Sequence, residues 1–122
     1  MSQSATTIVL GASPDSSRFS YRAVRSLLAH GHAVVAVGTR KGSIDGLAIV
    51  RAEQCSGPVD TVTLYLGPGR QEAIVQTLLG WKPRRVIFNP GTENPALMAQ
   101  LRGLGVEVVE DCTLVMLSRN VY

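Results

Sequence analysis

The chain has 122 residues, 45% of them hydrophobic and 17% charged, with a formal net charge of +3. That balance fits one ordered domain spanning residues 1–122 and excludes a disordered chain. The basic residues are scattered and not interleaved with the few aromatics, which argues against nucleic acid as a partner, and no apolar run approaches the roughly 20 residues needed to span a bilayer.

The segment Met1 to Thr7 is polar and carries no basic-plus-apolar leader, so a cytoplasmic location is expected. Cys55 and Cys112 stand alone, outside any Cys-x-x-Cys pattern, and read as reduced thiols. Together with His30 and His32 they do not make a zinc site.

In chain order, β-branched apolar runs occur at Thr6–Leu10, Ala33–Val37, Asp60–Tyr65, Arg85–Phe88 and Val106–Val109. Each is apolar nearly throughout, as expected of strands covered on both faces by helices. Helical spacing separates them. Phe19, Ala23, Val24, Leu27 and Leu28 form one stripe, which Gly31 ends. The stretch Val50 to Ser56 is weakly patterned and predicts one or two helical turns. Ile74, Leu78 and Trp81 form the next stripe. Leu97, Met98, Leu101 and Leu104 follow a start signal, with Asn94 as N-cap and Pro95 at the first helical position. Alternating strands and helices predict a doubly wound, Rossmann-like sheet of five parallel strands in the order 3-2-1-4-5, with helices on both faces. Ligands of such sheets bind outside the carboxyl ends of the strands at the switch point, expected here between the first and fourth strands.

The carboxyl ends therefore supply the candidate site. The first strand runs into Gly11-Ala12-Ser13-Pro14, a turn suited to presenting backbone N–H groups and a helix N-terminus to a phosphate. The second runs into Val37-Gly38-Thr39-Arg40-Lys41-Gly42. An NAD site places an acid there; Thr39, Arg40 and Lys41 instead suit a ribose with an additional phosphate, as in coenzyme A or NADP. Tyr65-Leu66-Gly67-Pro68-Gly69 and Asn89-Pro90-Gly91-Thr92-Glu93-Asn94 follow the third and fourth strands. Each contains a Pro-Gly pair, the mark of a type II turn with positive φ at the glycine. Both loops are candidates to wall the cleft.

Taken together, these residues resemble the small stand-alone CoA-binding proteins, whose domain is similar to the N-terminal domain of the succinyl-CoA synthetase alpha subunit. The resemblance rests on Gly11-Ala12-Ser13 with Ser20-Tyr21-Arg22, on Val59-Asp60-Thr61-Val62, on Asn89 to Asn94, and on Gly105-Val106-Glu107-Val108-Val109 leading to Cys112. It implies a ligand draped over the carboxyl edge of the sheet. Gly11–Ser13, aided by Arg22, would meet the pyrophosphate; Thr39, Arg40 and Lys41 would lie near the ribose phosphate and adenine. Tyr65 and Pro68 would line the adenine side, and Asn89, Thr92 and Cys112 would face the pantetheine arm. The chain departs from the family pattern at Gly38-Thr39, where many relatives carry Asn-Pro.

The expected function is binding of coenzyme A or an acyl-CoA, without catalysis or together with a partner; exposed sheet edges leave homo-oligomerisation open. The alternative is a minimal NADP-dependent oxidoreductase, against which stands the lack of a recognisable Tyr–Lys pair. A third reading is a structural subunit with a vestigial cleft. His30 and His32 are expected at the amino edge, away from the ligand. Cys112 is the one candidate nucleophile, but its neighbour is Asp111 rather than a cation, and it reads as structural.

Overall fold

The computed structural model describes residues 6–122. The first five residues of the polar segment Met1 to Thr7 lie outside the described residues. Seven strands form one sheet: β1 (Thr7–Leu10), β2 (Val34–Val37), β3 (Ser43–Ile44), β4 (Leu47–Val50), β5 (Thr61–Leu64), β6 (Arg85–Phe88) and β7 (Glu107–Glu110). Their spatial order is β3-β4-β2-β1-β5-β6-β7, and only the β3–β4 pair is antiparallel.

This corrects the expected five-stranded, all-parallel sheet in the order 3-2-1-4-5. The Asp60–Tyr65 run, expected beyond the second strand, pairs with β1 as β5, with Thr7 opposite Thr61 and Leu10 opposite Leu64. The place beside β2 belongs to β4, which pairs Val37 with Val50. A hairpin explains the difference. Asp45 (φ 50°) and Gly46 (φ 83°) form its two-residue loop. An Asp-Gly pair takes positive φ at both positions at low cost, and that twist suits a tight antiparallel return. Ile44 then anchors the hairpin among Val9, Val24 and Leu27, fully buried. With β5 on the other side of β1, the switch point lies between β1 and β5.

Helices cover both faces. On one lie α1 (Phe19–Ala29) and α5 (Thr113–Ser118). Val24, Leu27 and Leu117 pack there on Val9, Val34 and Ala36. On the other lie α2 (Pro68–Gln71), a 3₁₀ turn at Glu72–Ile74, α3 (Val75–Gly80) and α4 (Pro95–Gly103). Leu78, Trp81, Leu97, Met98 and Leu101 pack on Ile8, Leu10, Val62, Leu64, Val86 and Phe88. The central strands β1, β5 and β6 are buried throughout, whereas β7 forms an edge whose end residues Glu107 and Glu110 are exposed.

Local signals act as their chemistry requires. Asn94 caps α4, its Oδ1 accepting from the Leu97 amide at 3.2 Å, with Pro95 in the first position. The 50–56 stretch divides: Val50 ends β4, and Ala52–Gln54 make a 3₁₀ turn. Pro90-Gly91 forms the expected turn, with the Thr92 amide bonded to the Asn89 carbonyl and Gly91 at φ 93°. Pro68-Gly69 does not. Gly67 is an N-cap and Pro68 opens α2, because a proline's fixed φ suits the first helical position equally well.

Candidate functional site

A cleft of about 790 Å³ runs along the carboxyl edge of the sheet, across the ends of β4, β2, β1, β5 and β6. Four strand spacings make it about 19 Å long. Its floor is the switch point. Leu10 to Ser13 leave β1, and Tyr65 to Gly67 leave β5 beside them. Gly11 (φ 100°) permits this approach, since a Cβ there would stand 3.1 Å from the Tyr65 backbone. On the β2 side a Cβ at Gly38 would strike the Ala12 carbonyl, so the ends of β1 and β2 touch backbone to backbone. Pro14 closes over Gly42, where a Cβ would lie 2.6 Å from the proline ring. The turn after β1 and the basic loop after β2 thus adjoin, as one polyanion site needs.

The hydrogen bonding refines the phosphate turn. The Gly11 and Ala12 amides both donate to the Val37 carbonyl, at 2.9 and 2.8 Å, so neither points to the cleft. What faces the cleft is Ser13, together with Arg18, Phe19 and Ser20 at the start of α1. No side chain caps that helix, so its first-turn amides and its dipole remain available to an anion. Asp15 organises the intervening loop, accepting from the Ser17 amide and hydroxyl at 2.9 and 2.7 Å. These bonds hold its carboxyl below the ordinary value.

The charge of the lining is one-sided. Arg18, Arg40, Arg51 and Arg70 line the cleft with one acid, Glu53, while Asp15, just outside the lining, lies 3.9 Å from Arg18. Such a wall favours a ligand with several negative charges.

Of the expected residues, Gly11, Ala12, Ser13, Thr39, Arg40, Tyr65 and Thr92 come together in this cleft. Lys41 and Pro68 are exposed outside its lining. Arg22 lies on α1, its guanidinium 5.5 Å from the Phe19 ring centroid, and lines a separate groove with Arg25 and Asp45. Asn89 is buried and works for the fold. Its Nδ2 donates to Thr63 Oγ1 and the Leu64 carbonyl at 2.7 and 2.9 Å, and its Oδ1 accepts from the Thr113 amide at 2.8 Å. Cys112 sits half-buried just before α5, outside the cleft, its amide donating to Asp111 Oδ1 at 2.7 Å. His30 bonds the Ser26 carbonyl and His32 meets the Tyr122 ring; neither lines the cleft.

Tyr65 lies in the lining of the cleft, packs against the core under α1 and α5 and turns its hydroxyl into the protein. That oxygen is buried without a completed hydrogen bond, and burial is the main reason its ionisation is pushed up to about 12. The Thr63 and Thr113 hydroxyls lie nearby but bond each other at 2.7 Å.

Sequence reasoning missed Arg18, Phe19, Arg51, Glu53, Arg70 and Gln71. Phe19, expected in the core stripe, is 64% exposed at the cleft rim. Gln71 is fully buried and donates to the Leu66 and Thr92 carbonyls, at 2.8 and 2.7 Å, while accepting from Asn94 Nδ2. It ties the loops after β5 and β6 together. Asp45-Gly46 read as a hairpin turn would have placed Arg51 beside Arg40, and Pro68 read as a helix start would have placed Arg70 in the first turn of α2.

A family model described as a CoA binding domain matches residues 5–118. The chain belongs to that family. Its fold recurs in solved structures. The crystal structure of an uncharacterised protein has a TM-score of 0.93 at 43% identity, covering 99% of this chain and 100% of the other. A Thermus thermophilus protein has a TM-score of 0.85 at 25% identity, covering 98% and 91%. A hypothetical protein from Pyrococcus horikoshii OT3 has a TM-score of 0.82 at 21% identity, covering 95% and 82%, and shows the fold alone. No curated protein matches the chain. Membership of the CoA binding domain family agrees with a small nucleotide-like ligand and does not tie the chain to the succinyl-CoA synthetase alpha subunit in particular. Among the described residues no helix is long and apolar enough to cross a membrane, and no cluster of three or more His, Cys, Asp or Glu could hold a metal ion.

Proposed function

We propose that the cleft binds coenzyme A or an acyl-CoA, with the pyrophosphate at Ser13 and the start of α1 and the nucleoside toward β2 and β4. The observation that carries this reading is the lining itself: four guanidinium groups against one carboxylate, centred on an uncapped helix start at the switch point. Coenzyme A brings a pyrophosphate and a ribose phosphate, charges that such a wall matches. The family supports the same ligand class.

The proposal assigns binding to the cleft, not a reaction of its own, and leaves chemistry to a partner. Tyr65 does not present its proton to a ligand, because its hydroxyl is buried and turned inward. The test is thermal denaturation and titration calorimetry with CoA, acetyl-CoA, NADP and NAD. CoA or acetyl-CoA is expected to bind and raise the melting temperature more than either nicotinamide nucleotide. Absence of CoA and acetyl-CoA binding, or stronger binding of NADP, overturns the proposal.

A further inference from the structure

The β3–β4 hairpin delivers to the cleft a cation that its place in the sequence hides. Val50 lies in register with Val37, and the Gly38 amide donates to the Val50 carbonyl at 3.0 Å. The chains leaving β2 and β4 therefore emerge side by side, and Arg40 and Arg51 line the same end of the cleft. Lys41, one residue beyond Arg40, lies outside it.

We propose that Arg51, acting with Arg40, is the specificity determinant for the phosphate on the ribose of the ligand, a role first expected of Arg40 together with Lys41. The inference rests on the coenzyme A reading above. Three observations carry it. First, Arg51 stands at the far end of the cleft from β6, two strand spacings or about 10 Å from the β1 turn. That is the place a nucleoside reaches when its pyrophosphate lies at Ser13 and α1.

Second, the backbone of Arg51 is held in place. Its amide donates to Gln54 Oε1 at 2.8 Å and its carbonyl accepts from the Gln54 amide at 3.0 Å. The side chain thus starts from a fixed point. Third, the guanidinium is not committed elsewhere. Its ion pair with Glu53 is long, 3.7 Å, and both side chains are 71% exposed. A pair so exposed is weak, and a phosphate dianion that accepts two parallel N–H bonds displaces it readily.

The experiment compares CoA with dephospho-CoA, which differ by that one phosphate, on the full chain and on Arg51→Ala, Arg51→Gln and Lys41→Ala. Arg51→Ala is expected to weaken CoA about tenfold while shifting dephospho-CoA less than about twofold, the size of one lost charge-assisted pair. Arg51→Gln, which keeps the Cβ–Cγ stem and a polar end without the charge, should behave alike and guards against a folding defect in the alanine variant. Equal losses for both ligands, or a selective loss in Lys41→Ala with none in Arg51→Ala, overturn the assignment. If the unaltered chain binds neither ligand, the coenzyme A reading itself fails. If it binds CoA and Arg51→Ala binds equally well, only the role of Arg51 fails.

Discussion

Asp60 and Arg84 show how single residues secure the edge of the sheet opposite the cleft. Arg84 donates to both Asp60 oxygens, at 2.7 and 3.1 Å, and to Glu107 at 3.2 Å, joining the starts of β5, β6 and β7. The Arg84 bonds, foremost, hold the Asp60 carboxyl below its ordinary 3.8. The folded chain therefore binds fewer protons there than the unfolded chain does. The resulting stability is full above the ordinary value and disappears as pH falls through the lowered one. Asp60→Asn should cost about 1 kcal/mol at pH 7, since the pair is partly exposed, and in urea unfolding curves the gap to the unaltered chain should begin to narrow only as pH falls below the ordinary 3.8. Tyr65 makes the opposite case. Its buried, unpaired hydroxyl costs free energy, so Tyr65→Phe is expected to raise stability by about 1 kcal/mol in the same measurement. A loss of stability would mean that the hydroxyl has a partner.

At the scale of elements, the site depends on how closely three strand ends approach. Gly38 is the test, because a Cβ there meets the Ala12 carbonyl while the Ala12 amide is bonded to Val37. Neither backbone yields without breaking that bond. Gly38→Ala should cost about 1–3 kcal/mol in urea unfolding and reduce CoA affinity as well, by moving the phosphate turn away from the β2 loop. Periodicity revealed α1, α3, α4 and five of the strands, since each of those segments carries its own apolar pattern, but it gave neither the short α2 nor α5. It failed at residues 43–50, where the apolar run Leu47–Val50 is as long as that of β2 but was not read as a strand. There the informative signal was the Asp45-Gly46 pair. It failed again at Phe19, whose helical spacing matches the core stripe but whose position in the first turn of α1 puts it at the rim.

For the molecule as a whole, binding and stability are one measurement. A ligand held only by the folded state at 100 times its dissociation constant adds about 2.7 kcal/mol, so the calorimetric affinity for CoA predicts the size of its thermal shift. The sequence by itself determined an alternating α/β domain, the basic character of the loop after β2, the end of α1 at Gly31 and the Asn94-Pro95 start of α4. These follow from short-range chemistry: periodicity, capping and turn geometry depend on neighbours along the chain. Which strand lies beside which was decided by the tertiary structure alone. Parallel neighbours are chosen by how whole faces bury against α1, α5, α3 and α4, and no local pattern records that choice. Moving β5 to the far side of β1 and setting β4 beside β2 exchanged the members of the site. Arg51 and Arg70 entered, while Arg22, Lys41, Pro68, Asn89 and Cys112 lie outside the lining, and the loops after β1 and β2 stayed together because their strands are neighbours in both arrangements.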